Sequence, residues 1–77
     1  MVLNIKYFGL LTEITKCSEE NIEFSKSSVL ELLNLLFNKY PELKHKDFEV
    51  AQNNKIVSKD TMVSETEIAL LPPFSGG

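Results

Sequence analysis

The residues with the clearest chemical potential are two adjacent glycines, Gly76 and Gly77, at the end of the sequence. The sequence contains three glycines, and two of them occupy these positions. Glycine has no Cβ atom, so a Gly-Gly end presents its α-carboxylate on the narrowest possible segment of main chain. Such an end can enter a slot that excludes every side chain. We therefore expect Gly77 to present a reactive carboxylate.

The residues before this pair predict a stiff lead-in. Leu70 and Leu71 close an apolar segment, and Pro72 and Pro73 follow directly. Proline fixes φ and has no amide donor, so a strand that reaches Pro72 must end there. We expect residues 72–77 to leave the domain as an extended, flexible C-terminal tail, which can reach at most about 20 Å.

Composition limits the class of protein. A chain of 77 residues predicts one domain, 1–77, and a hydrophobic content of 43% is sufficient for a folded core. The chain has eleven acidic and eight basic residues, every basic residue is Lys, and Trp is absent. Arg and Trp are main instruments of nucleic-acid recognition, so we expect a protein partner and no nucleic acid.

The cysteine content and the apolar runs bear on location. Cys17 is the only cysteine, which fits a reducing compartment such as the cytoplasm. The sequence shows no signal-peptide pattern at Met1 and no apolar run near the ~20 residues of a membrane span, so we expect a cytoplasmic protein without a membrane partner. His45 has no second ligand at metal spacing, and we expect no metal site. Cys17 has only Lys16 beside it to activate a thiol, and we assign it no role.

Alternating apolar residues predict the first strand, from Val2 to Phe8. Leu3, Ile5 and Tyr7 then face the core, and Phe8 lies on the opposite face as a candidate partner contact. We expect a single helical turn at 10–14 and a second, shorter strand at 21–24.

One helix is strongly predicted. Ser28 followed by Glu31 forms the capping-box pattern at its start, and Pro41 disfavours helical geometry at Tyr40 and ends it. The residues predicted for its apolar stripe are Val29, Leu32, Leu33, Leu36 and Tyr40, broadened by Leu30 and Phe37. We expect residues 42–47 to form a polar link.

Three further segments predict strands at 48–53, 56–57 and 67–71. Asn54-Lys55 is expected as a turn, and Asn53-Asn54 tolerates the positive φ of a tight hairpin. The last strand is apolar on both faces, which is typical of a central strand. The order of elements predicts an α+β fold of the β-grasp (ubiquitin-like) kind. It has a mixed sheet of four to five strands, one main helix, and parallel first and last strands.

The chain resembles the ubiquitin-like sulfur carriers of the MoaD/ThiS type, and among them the small subunits of molybdopterin synthase. The resemblance runs over the whole chain and is strongest at the closing motif. The matching segments are Ile5-Lys6-Tyr7-Phe8-Gly9, the 29–36 helix, Val50-Ala51-Gln52-Asn53 and Leu70-Leu71-Pro72-Pro73-Phe74-Ser75-Gly76-Gly77. Two segments depart from the family pattern. Ser64-Glu65-Thr66-Glu67 replaces a common Asp-Gly-Asp-Glu turn, and Thr12 stands where an Arg often follows the first strand.

The resemblance implies a sulfur carrier of molybdenum cofactor biosynthesis. Gly77 would be adenylated by a ubiquitin-activating-type adenylyltransferase that uses ATP, and a sulfur donor would convert it to a thiocarboxylate. The large subunit of molybdopterin synthase would then use this sulfur on cyclic pyranopterin monophosphate, in a heterotetramer of two small and two large subunits. The carrier itself would bind no cofactor and have no catalytic centre of its own.

Within this family-based interpretation, the tail enters the partner's active site and nearby apolar residues dock the domain. The part of the tail that enters the active site is Phe74, Ser75, Gly76 and Gly77. The docking residues are Phe8, Leu71, Pro72, Pro73 and Phe74. Three alternatives stay open. They are a sulfur carrier for thiamine or another pathway, a ubiquitin-like protein modifier, and a non-catalytic β-grasp interaction module.

Overall fold

The computed structural model describes residues 1–25 and 27–73. In chain order these residues form β1 (Val2–Tyr7), α1 (Leu11–Thr15), β2 (Glu19–Glu23), α2 (Val29–Lys39), a 3-10 helix (Pro41–His45), β3 (Glu49–Gln52), β4 (Lys55–Val57) and β5 (Glu67–Leu71). Within the described residues, five strands form one sheet in the order β2-β1-β5-β3-β4. β1 and β5 are parallel, and the other neighbours are antiparallel. The predicted β-grasp fold is confirmed.

The two central strands supply the floor of the core. Leu3, Ile5 and Tyr7 are buried on β1, as the alternation predicts. On β5, Ile68 and Leu70 are fully buried, and Ile68 is the register partner of Ile5. These side chains form one apolar cluster with the buried residues of α2. β5 is therefore central, as its two apolar faces predict.

Helix α2 begins where the capping pattern places it. Ser28 Oγ accepts a hydrogen bond from the Glu31 amide at 3.3 Å, which satisfies one of the free amides of the first turn. The buried stripe of the helix consists of Val29, Leu32, Leu33 and Leu36. Phe37 packs partly buried against this cluster. The expectation for Leu30 is wrong: its side chain is 42% exposed, because a step of one residue from Val29 turns it away from the stripe.

The expectation of a polar link at 42–47 is also wrong. Pro41 opens the 3-10 helix, and the Leu43 amide donates to the Tyr40 carbonyl at 3.0 Å. Proline suits the first position of a helix, since it needs no donor there. The turn brings Leu43 into the core, where it is fully buried. One leucine among charged residues thus closes the end of the core beyond α2.

A buried glutamine fixes the long connection before β5. Gln52 is 7% exposed, and its Nε2 donates to the Met62 carbonyl at 3.2 Å. Its Oε1 accepts from the Ser64 amide at 2.9 Å. Val63 lies between these contacts and is fully buried. These bonds hold the loop against β3, so β5 begins from a fixed position.

The burial of the α2 stripe predicts a matched pair of substitutions. Leu36→Ala removes a fully buried side chain, and we expect it to lower the free energy of unfolding by about 2–5 kcal/mol. Leu30→Ala on the same helix removes an exposed leucine and should change it by less than about 0.5 kcal/mol. Urea denaturation of both variants measures the difference. Equal losses would contradict the placement of the stripe.

Candidate functional site

The face of the sheet opposite α2, here called the outer face, carries a row of side chains across four strands. Register pairs place Lys6 of β1 beside Ala69 of β5, Ala69 beside Ala51 of β3, and Ala51 beside Ile56 of β4. Ile56 is 49% exposed. Just past β1, Phe8 is 44% exposed, as its position in the alternation predicts.

A shallow groove of about 620 Å³ lies on the outer face. Its lining includes Phe8, Leu71, Ile56, Ala51 and Ala69, together with polar residues from the β3–β4 turn and the start of β5. The small alanine side chains leave the depression between the larger apolar ones. Beside it, an ion pair joins Lys6 Nζ to Glu67 Oε2 at 3.2 Å. The groove therefore offers apolar contact area within a polar rim, which is the general composition of a protein interface.

The exit of the chain from the sheet lies at one end of this groove. The Phe8 amide donates to the Leu70 carbonyl at 3.2 Å, so the residues that follow β1 and β5 start side by side. Leu71 lines the groove with Phe8, and Pro72 contacts Gly9. Pro73 lines a different groove, beside Phe37 and Phe48. The other predicted tail residues, Phe74, Ser75, Gly76 and Gly77, lie outside the described residues.

Gly9 and Thr12 are contributors to this region that the sequence reasoning missed. Gly9 adopts φ +62°, a conformation that favours glycine. Its carbonyl accepts hydrogen bonds from Thr12 Oγ1 at 2.8 Å and from the Thr12 amide at 3.2 Å. Thr12 was notable in the sequence only for the absence of an arginine. A glycine directly after a strand, with threonine three residues later, is the local pattern that could have indicated this turn.

A cluster of polar contacts lies at the β2 edge of the sheet, around Glu20. The hydroxyls of Tyr7 and Tyr40 each donate to Glu20 Oε2 at 2.6 Å. Lys39 Nζ contacts Glu20 Oε1 at 2.5 Å. The Glu20 carboxylate thus joins β1, β2 and the end of α2.

The pKa values of this cluster follow from its contacts. Burial favours a raised pKa for Glu20, but the hydrogen bonds from Lys39, Tyr40 and Tyr7 outweigh it and hold the pKa below its ordinary value. Burial, then the hydrogen bond to Glu20, raises the pKa of both tyrosines. Three donors already occupy the carboxylate, so its role in this arrangement is to hold the three elements together.

Residues 1–25 and 27–73 hold few other groups with chemical potential. No group of three or more His, Cys, Asp or Glu side chains there could hold a metal ion. Cys17 packs partly buried against the core, and His45 is exposed. None of the helices in this part of the chain is long and apolar enough to cross a membrane. The site that the described residues build is an apolar groove next to a fixed exit of the chain.

Comparison with known proteins gives one family and several similar structures. The model of the ThiS family matches residues 5–77. A putative molybdopterin converting factor, subunit 1, from Pyrococcus furiosus has a TM-score of 0.87 at 21% identity, over 96% of this chain and 99% of that chain. SAMP1 from Haloferax volcanii has a TM-score of 0.80 at 21% identity, over the full length of both chains. These two likenesses bear on the fold.

A third structure is described as the protein-protein complex of subunits 1 and 2 of molybdopterin-converting factor from Helicobacter pylori 26695. The matched chain is 25% identical to this one and covers 100% of both, with a TM-score of 0.67.

The Glu20 contacts predict a pH-dependent loss of stability. The pKa of Glu20 in the folded protein lies below its ordinary value of 4.5, so its contribution is present above pH 4.5 and is lost as the pH falls through the folded value. We expect Glu20→Gln to lower the free energy of unfolding by about 1–3 kcal/mol at pH 7. The difference from wild type should shrink as the pH approaches 3. Urea denaturation between pH 3 and 7 measures both effects.

Glu13→Gln is the matched control, since it removes the same charge from an exposed position on α1. It should change stability little at any of these pH values. A Glu20→Gln deficit that persisted unchanged at pH 3 would show that the ionised carboxylate is not its source.

Proposed function

This chain belongs to the ThiS family of ubiquitin-like sulfur carriers, and on that premise we propose that it carries sulfur as a thiocarboxylate at Gly77. The observation that carries the proposal is the position of β5. It is a central strand of the sheet, and the chain continues past it into Pro72 beside an apolar groove. A partner that docks on the groove lies next to the exit of the tail.

The chemistry that we propose begins with activation of the carboxylate. An α-carboxyl group has an ordinary pKa of about 3.3–3.7, so at pH 7 it is an anion that resists nucleophilic attack. In a ubiquitin-activating-type adenylyltransferase, the carboxylate would attack the α-phosphorus of ATP and release pyrophosphate. A sulfur nucleophile would then displace AMP to leave the thiocarboxylate. ATP is held by the partner, and the carrier binds no cofactor.

For the acceptor, we propose cyclic pyranopterin monophosphate within a molybdopterin synthase. The carrier would be the small subunit, bound to a large subunit in an assembly of two small and two large subunits. Two observations support this: the closing motif Leu70 to Gly77, and the structural likeness to a molybdopterin-converting factor subunit in complex with its partner. The proposal places the pathway in the cytoplasm, the reducing compartment that a lone Cys17 predicts.

The second candidate function is protein modification, which the likeness to SAMP1, a small archaeal modifier protein, supports. The activation step is the same, but a lysine amine would attack in place of sulfur. The products separate the two functions. A modifier forms an amide bond with a protein lysine, and a sulfur carrier returns with a free carboxylate.

Intact-mass spectrometry tests the carrier function directly. After incubation with ATP, sulfide and the host's activating enzyme, we expect the mass to rise by the difference between one sulfur and one oxygen atom. A variant with one residue added after Gly77 is the control and should not react, because its terminal carboxylate cannot occupy the same position. A non-catalytic interaction module needs no free carboxylate at Gly77, so the added residue would leave its binding activity intact. An unchanged mass for the wild-type chain would reject the carrier function with that enzyme.

Docking through the outer face predicts a second matched pair. Phe8→Ala removes an exposed aromatic side chain from the groove, and we expect it to weaken binding to the large subunit by about tenfold or more. Leu10→Ala removes an exposed apolar side chain that lines another surface, and should leave the affinity unchanged. Isothermal titration calorimetry measures both. Equal affinities for wild type and Phe8→Ala would remove Phe8 from the docking face.

A further inference from the structure

Gly9 lies where the paths of β1 and β5 separate. After Phe8 the chain turns into α1, and after Leu71 it continues through Pro72 over that turn. A Cβ atom placed on residue 9 would lie 2.7 Å from Pro72 Cγ and 3.8 Å from Pro72 Cβ and Cδ. A separation of 2.7 Å is far inside the optimal 3.5–4.0 Å of carbon contacts, so the path of Pro72 depends on a residue without a side chain at position 9.

Both sides of this contact are held in place. The Gly9 carbonyl accepts two hydrogen bonds from Thr12, and the Leu11 amide donates to the Phe8 carbonyl at 3.3 Å. Pro72 follows a central strand whose register is fixed by β1 and β3. Its ring is closed onto its own backbone, so the ring has little freedom to yield without moving the chain.

We propose that Gly9 is a positioning residue that sets the direction in which the chain leaves β5. The inference deepens the proposed function and rests on it, because the segment so directed carries the carboxylate of Gly77. Pro72 is five residues before Gly77. Once a partner holds that segment extended, at ~17 Å, a rotation of about 10° at its base displaces its end by ~3 Å. Displacements of that size separate productive from unproductive geometry in an active site.

Two substitutions separate the steric effect from backbone strain. Asn tolerates the left-handed conformation of Gly9, and this chain already holds Asn53 and Asn54 at φ 54° and 62°. Gly9→Asn therefore adds a Cβ atom at small backbone cost. Pro72→Ala removes the Cγ atom and keeps the Cβ, so the double variant relieves the contact. Pro73 still restricts the residue before it to extended geometry.

The first measurement is the rate at which the activating enzyme adenylates the tail, which ATP–pyrophosphate exchange reports. We expect Gly9→Asn to lower kcat/KM by about tenfold or more in the wild-type background. In the Pro72→Ala background the same substitution should change kcat/KM little, so the double variant should match Pro72→Ala. Lys16→Val is the strain control, since it places a β-branched residue at φ 63° outside the Pro72 contact. It should lower the melting temperature without lowering kcat/KM.

The second measurement does not depend on the enzyme. A nitroxide at Ser75→Cys, in a Cys17→Ala background, broadens the amide signals near the tail. The amides of Ala51 and Ala69 report on the outer face, and the amide of Phe37 reports on the α2 side. We expect Gly9→Asn to change how strongly the first two signals are broadened relative to the third. The double variant should restore the wild-type pattern. If Gly9→Asn does not fold, Gly9→Asp, which also tolerates positive φ, and its double variant with Pro72→Ala replace that pair.

The two measurements keep the proposals distinguishable. An unchanged broadening pattern in Gly9→Asn, or a change that the double variant does not reverse, would overturn the positioning role. An equal loss of kcat/KM in Lys16→Val would overturn it as well. A further outcome is that the wild-type chain is not activated, while the broadening pattern shifts in Gly9→Asn and recovers in the double variant. That result would reject the proposed function and support the role of the Gly9–Pro72 contact in directing the chain.

Discussion

The parallel pairing of β1 with β5 is the constraint on which the other features depend. The pairing joins the first and last strands, in the register Ile5 with Ile68 and Tyr7 with Leu70. Parallel neighbours cannot be joined by a tight turn, so the chain between them must cross the sheet, and α2 makes that crossing. β5 thereby lies between β1 and β3. The chain after Leu71 consequently starts from the interior of the sheet, beside the turn at Gly9.

The two faces of the sheet have separate tasks. The face under α2 buries Leu3, Ile5, Ile68 and Leu70, and this burial provides the hydrophobic stabilisation of the fold. The outer face leaves Phe8 and Ile56 exposed, where they add little to the stability of the isolated chain. Exposed apolar side chains grouped in one groove are typical of a surface that binds a partner. Under the proposed function, the carrier would dock on two enzymes in turn through this face and dissociate from each without disturbing its core.

Local rules explain most of what the sequence could predict. Alternation identified the strands, Ser28 identified the start of α2, and Asn53-Asn54 identified the tight turn, because each depends on residues within one turn or strand. Two of the missed features depend on contacts between residues distant in sequence. Glu20 and Tyr40 are 20 positions apart, and the contact between Gly9 and Pro72 joins residues near the two ends of the described part of the chain. The tail was predicted from its chemistry, and residues 74–77 lie outside the described part of the chain.

The choice of acceptor follows from what the carrier can and cannot contribute. Activation of a terminal carboxylate is one reaction, whether sulfur or an amine attacks afterwards, so the tail chemistry alone does not select the pathway. Selection must come from which enzyme the domain docks on and from where the tail is then directed. We propose that those two properties lie in different residues of this chain. Phe8 and Ile56 would offer the contact area, and Gly9 with Pro72 would set the direction. Changes in the groove can therefore alter the partner while the path of the tail is retained.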